Sequence, residues 1–182
     1  MTLRVLAYIE NHRRQSQNAD ITTIERALMM IGTGPFFRDF DKLPLVEECL
    51  RPYPKALLGL LRVIARARRA AHWAREWAVM RHDLDVDEIT VATLLHDVVE
   101  ILMWCFAPSL ALQVRDLQAR DRSLRSTIAQ EKIYHVPLQA LQLALARAWR
   151  LPQLLTTLMD HSDKDHPRVR NVSLAEIGRA HV

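Results

Sequence analysis

Two adjacent residues, His96 and Asp97, stand where this chain could do chemistry, inside the run Leu94-Leu95-His96-Asp97-Val98-Val99-Glu100. An imidazole and a carboxylate are costly to bury unless each finds a partner. Donors of this kind suit Fe, Mn, Zn or Ni. Either the pair meets other polar groups inside a folded domain, or it binds something. Rival chemistries lack their residues: the chain has no Gly-rich phosphate loop, no Gly-x-Ser-x-Gly elbow and no His-Glu-x-x-His. Cys49 and Cys105 form neither a metal spacing nor a disulfide framework, and Cys105 reads as an inert thiol in an apolar helix.

A helix must position the doublet. Asp85-Val86-Asp87-Glu88 reads as a capping box, Asp85 accepting from the backbone while Glu88 reaches back. Ile89, Ala92, Leu95, Val99, Leu102 and Phe106 follow at three- and four-residue steps. The pattern predicts one core-packed helix that carries the doublet and ends before Pro108. The longest helical pattern runs from Pro54 to about His82, with Leu57, Leu61, Ile64, Ala71, Trp73, Trp77 and Met80 as its apolar surface. Arg62, Arg66 and Arg69 lie one turn apart on it as a basic stripe, and His72 has Arg68 and Glu76 a turn to either side.

The other segments also read as helices. One runs from Leu3 to about Gln15. A second capping box, Thr22-Thr23-Ile24-Glu25, opens a short helix through Ile31 that Gly32 stops. Pro35 suits a first helical position ahead of Phe36, Phe37 and Phe40, and Pro44, Pro52 and Pro54 punctuate short pieces around Leu45 to Leu50. Ser109 to Lys132 predicts two amphipathic helices broken near Asp121; Pro137 and Pro152 start helices to Trp149 and about His161. A polar loop over 162–171 then precedes a last helix from Ser173. With four Gly and little β-branched alternation, strands are not expected.

At 182 residues, 49% hydrophobic and 25% charged, the chain suits one all-α domain with a sizeable core. Its net charge of +4 is too small an excess to argue for nucleic acid. Lysine supplies only Lys42, Lys55, Lys132 and Lys164 of the basic residues; arginine favours bidentate contacts to carboxylates and phosphates, and such a bias equally follows from a GC-rich genome. Nucleic-acid binding through the arginine stripe ranks last; it would be steeply salt-dependent, and Arg66 and Arg69 substitutions would flatten the slope. Leu3 to Ile9 is short and interrupted by Arg4, and no apolar run reads as membrane-spanning, so a cytoplasmic protein without a membrane partner is expected.

Taken together, these pieces resemble the HDOD family, regulatory relatives of the HD metal-dependent phosphohydrolases. Ile21-Thr22-Thr23-Ile24-Glu25-Arg26-Ala27-Leu28 through Gly32 resembles the family's early helix ending in Leu-Gly. Leu94-Leu95-His96-Asp97 is similar to its Leu-Leu-His-Asp signature. His135 and the helix to Trp149-Arg150-Leu151-Pro152 resemble its His-to-Trp-x-Leu-Pro segment, and His161 falls where the family places a later histidine. The likeness extends from about Leu3 to Ala175. It departs after the doublet, where Val99-Glu100 replaces the family's usual Gly-Lys. The late Asp of active HD enzymes would fall near position 176. The last seven residues, Glu176 to Val182, resemble a translated sequencing adapter, which implies a truncated domain; the alternative is a native end in which Ser173 and Glu176 form a capping box.

The resemblance implies a single compact HD-like helical bundle: 1–53 its N-terminal helical part, 54–175 its core, 176–182 a non-native tail. It implies one divalent ion (Fe, Mn, Zn or Ni) on His72, His96 and Asp97, with His135 and His161 available to a second. Arg68 or Arg69 would hold a phosphate bidentately. The metal-free alternative has a buried His donating to Asp97, with Asp97 accepting from Arg68, Arg75 or backbone. His135, close before Pro137, caps a helix equally well. The polar cluster of His161, Asp163, Asp165 and His166 reads as solvated. With one secure carboxylate, the expected function is a non-catalytic bacterial signal-transduction module acting by ligand or protein binding. Its partners would be a signalling protein or domain, or a nucleotide ligand. The alternative is a metal-dependent phosphohydrolase acting on a nucleotide or cyclic dinucleotide.

Overall fold

The structure, a computed structural model, describes residues 2–12, 21–151, 156–157, 160, 169–170, 172 and 174–175. Among these there are ten helices and no strand: α1 (Thr2–His12), α2 (Ile24–Ile31), α3 (Thr33–Phe40), α4 (Val46–Cys49), α5 (Pro54–Met80), α6 (Val86–Leu95), α7 (Val98–Phe106), α8 (Pro108–Arg120), α9 (Ser126–Tyr134) and α10 (Leu138–Ala148). The fold is all-α, as the patterning requires. The tail 176–182, His161, most of the expected Pro152 helix and residues 161–168 lie outside the described residues. Val169 and Arg170 are helical, so the helical chain resumes before the Ser173 that was expected to start it.

α5 is the spine. Its buried face is not the one its largest apolar residues mark: Ala56, Leu60, Val63, Ala67, Ala70, Ala74 and Ala78 are buried at three- and four-residue steps. Leu61, Trp73 and Met80 are exposed instead. An alanine stripe lets a neighbouring helix approach closely, and α6 packs along it. Ile89, Ala92 and Leu95 of α6, Val98 and Val99 of α7 and Ala146 of α10 complete the main core with Leu6, Val169 and Val172. A second cluster joins Leu50, Ala56, Leu60 and Val63 to Trp104 and Ala111; a third holds α1–α3 together through Val5, Ile9, Ala27, Phe36 and Phe40.

The expected single helix over 85–106 is two helices, broken at His96–Asp97. The stretch Val86–Phe106 is, by length and composition, apolar enough to cross a membrane, contrary to the sequence reading. Here the break divides it and much of it lies in the core, while Phe106 at its end is 83% exposed rather than packed.

Both expected capping boxes give way to one tertiary tie. Asp85 precedes α6 with no side-chain cap bond. Glu88 is buried and accepts from Thr22 Oγ1 at 2.9 Å and from Arg26 Nη1 at 2.7 Å. Thr23, not Thr22, caps α2, its hydroxyl accepting from the Arg26 amide at 3.3 Å. Glu88 therefore fastens α2 to α6. Glu88→Ala is expected to lower stability by about 2–3 kcal/mol, because it removes two hydrogen bonds to a charged group and leaves the buried Thr22 hydroxyl unpaired. Chemical denaturation measures this; Glu88→Gln, which can still accept from Thr22, should lose less.

Candidate functional site

His96 and Asp97 sit in the turn between α6 and α7. Asp97 is the N-cap of α7, where an Asp side chain ordinarily accepts from the next amides. Here it makes no cap bond. Its carboxylate turns to α5, taking Arg66 Nη2 at 3.2 Å and Nε at 3.4 Å on Oδ2, with His96 Nδ1 3.3 Å from Oδ1. The same Nη2 donates to Glu100 Oε2 at 2.7 Å, one turn into α7. Asp97 is 7% exposed and the Arg66 side chain 33%. Burial works against the Arg66 charge, but the charges of Glu100 and Asp97 together outweigh it and hold the guanidinium pKa above its ordinary value.

This clamp forms part of the wall of a cavity of about 610 Å³. Every helix from α5 to α10 except α6 contributes to it: Arg62 and Arg66 from α5, Glu100 and Trp104 from α7, Arg115 and Gln118 from α8, Gln130 and Tyr134 from α9, Gln139 and Gln142 from α10. The inner wall is apolar, with Trp104 against Gly59. The volume suits a small organic molecule.

Of the residues the sequence singled out, His96 and Asp97 line this cavity, while His72, His135, Arg68 and Arg69 do not. The reason is helical phase. Gly59, Arg62, Val63 and Arg66 share one face of α5, but at about 100° per residue Arg68 and His72 point roughly 160° and 120° away from Arg66. Both are exposed, as is Arg69. His135 is the C-cap of α9 in a left-handed conformation (φ 59°), its amide donating to Glu131 O at 2.8 Å, and it too is exposed. His161 lies outside the described residues. Arg75, offered as a partner for Asp97, pairs with Asp87 at 2.8 Å instead.

Among the described residues, no three His, Cys, Asp or Glu side chains are gathered as a metal ligand set. The cation between Asp97 and Glu100 is Arg66. The described residues at this place do not by themselves compose a ligand set for a divalent ion. Glu100, which marked the departure from the family pattern, is the second carboxylate of the clamp. Sequence reading passed over Tyr134, Trp104 and Gln142, none of which belongs to a local motif.

Tyr134 reports on the site. Burial, and then the charge of Glu100, push its phenol up to about 12 from an ordinary 10.0. A raised phenol pKa means that the folded state holds the proton more tightly. Its stabilising contribution is whole below pH 10 and is lost as pH rises toward 12. Ultraviolet titration should show one tyrosinate forming near the top of that range, and Glu100→Gln should move it down. Burial and, secondarily, Cys49 also raise the Cys105 thiol, in keeping with an inert side chain.

The chain belongs to the HDOD domain family, whose profile matches residues 2–164. It is also similar to the crystal structure of an HDOD domain protein with unknown function from Geobacter sulfurreducens, at 21% identity and a TM-score of 0.56. That match covers 97% of this chain and 60% of the other, so the chain spans about three fifths of its neighbour's length. At that identity the likeness speaks for the fold. No curated protein matches the chain.

Proposed function

We propose that this HDOD domain is a non-catalytic regulatory module of bacterial signal transduction, working in the cytoplasm by binding a ligand or a signalling partner. The observation that carries this reading is the Arg66 clamp. A guanidinium stands between Glu100 and Asp97, the one doublet carboxylate that a metal-dependent hydrolase would turn toward its ion, and both are engaged by this internal cation. A buried carboxylate satisfied in this way positions the His96–Asp97 turn and does not hold an activated water.

Metal analysis of the purified protein, combined with a phosphodiesterase assay on bis(p-nitrophenyl) phosphate with added Mn²⁺, tests it. The expected result is metal far below one ion per chain, no hydrolysis, and a His96→Ala variant that loses stability without changing metal content. A stoichiometric ion lost on His96→Ala, together with turnover, would overturn the reading in favour of a phosphohydrolase.

A further inference from the structure

Among the polar groups of the cavity outside the clamp, Gln142 and Arg62 matter most. Gln142 of α10 is 8% exposed and lines the cavity, yet its carboxamide has no hydrogen-bond partner among the described residues. A buried amide without a partner is destabilising by itself, and native structures rarely keep one without a use. Arg62 lines the same cavity one turn before Arg66 and has no ion pair among the described residues. The neighbouring charges are already met: Arg66 by Asp97 and Glu100, Arg115 by Asp116 at 2.8 Å. The lining also has apolar members, among them Val63, Val99 and the indole of Trp104.

We infer that the cavity binds a flat heterocycle carrying an adjacent hydrogen-bond donor and acceptor together with one anionic group. A carboxamide offers one acceptor and one donor side by side, so it pairs with a ring edge that offers the complement. Arg62, exposed at the cavity and without an ion pair among the described residues, supplies a positive charge that takes one phosphate or carboxylate. The indole and the valines take the ring itself. Nucleoside monophosphates have this chemistry in a size the cavity accommodates. The inference rests on the binding reading above and names the class of ligand.

Calorimetric titration of the purified chain with the four common ribonucleoside monophosphates, their neutral nucleosides and phenyl phosphate tests it. At least one nucleotide should bind at submillimolar concentration and at least tenfold more tightly than phenyl phosphate, which has ring and anion but no donor–acceptor edge. Gln142→Leu should abolish that preference while melting no lower than the parent, because it replaces an unpaired buried amide with an apolar group of similar size. Arg62→Ala should weaken the nucleotide to the level of its nucleoside and leave the nucleoside unchanged. Failure of all four nucleotides to bind at millimolar concentration, parity with phenyl phosphate, or indifference to Gln142→Leu would overturn the inference. Conversion of a bound nucleotide to nucleoside and phosphate would sink the non-catalytic reading and leave the binding inference standing.

Discussion

Replacing Arg66 by alanine is expected to lower stability by about 2–4 kcal/mol. Removing one partner of a buried ion pair costs roughly 3–5 kcal/mol, because the other charge stays behind uncompensated. The partial exposure of Arg66 tempers that, but it serves Asp97 and Glu100 at once, and Asp97 is almost wholly buried. The loss should shrink as the pH falls through the carboxylate range, since protonated acids need no cation. It should also shrink when Glu100→Gln is added to Arg66→Ala, although Glu100→Gln alone destabilises. Millimolar Mn²⁺ should raise the denaturation midpoint of Arg66→Ala, where two carboxylates face a vacated position, and leave the parent unmoved. Denaturant titration at neutral and acidic pH measures all of this. An Arg66→Ala variant within about 0.5 kcal/mol of the parent, the usual span for surface changes, would show that the clamp is not what holds the turn.

Why Arg66 was not legible as the centre of the site is a matter of distance along the chain. The His96–Asp97 doublet announces itself because polar residues in an apolar run need an explanation. Its partner lies 31 residues earlier, as one arginine among several on a helix, and nothing local separates Arg66 from Arg68 or Arg69. Helix existence was legible almost throughout, since periodicity and proline punctuation are local signals. The break at 96–97 was not, because the apolar spacing runs through it unbroken from Leu95 to Val99.

Burial misled in two instructive ways. On α5 the large residues Leu61, Trp73 and Met80 drew attention to an exposed side, whereas the packed side is alanine, chosen for close approach of α6. At the start of α6 a local capping rule competed with a partner 66 residues away, and the tertiary bond from Thr22 to Glu88 won. The family resemblance brought His72 and His135 forward, but helical phase and a left-handed cap set them elsewhere. Gln142 and Tyr134 had no sequence signal at all. A glutamine on an amphipathic helix looks like a solvated residue until the fold closes over it.

Trp104 forms the inner wall of the cavity, and its contact with Gly59 gives the second large effect. Trp104→Ala should lose about 3–5 kcal/mol, the range for emptying a buried aromatic site, since the residue is 6% exposed in the cluster with Leu60, Val63 and Ala111. Gly59 decides a sharper test because two forces oppose there. An alanine in mid-helix is favoured over glycine by about 1 kcal/mol, so propensity alone predicts stabilisation. A Cβ at Gly59, however, would lie 2.5, 2.6 and 2.7 Å from three ring carbons of Trp104, far inside the contact distance of about 3.5–4.0 Å. A rigid indole packed on its other side must shift as a whole, and overpacking of this kind costs roughly 1–3 kcal/mol. Gly59→Ala should therefore be destabilising in the parent. In a Trp104→Phe background the far edge of the ring is gone and only the propensity gain is left, so the same substitution should there become stabilising. Equilibrium denaturation of the four proteins of this cycle reads the reversal directly; a Gly59→Ala effect of the same sign and size in both backgrounds would mean that the indole does not stand against α5.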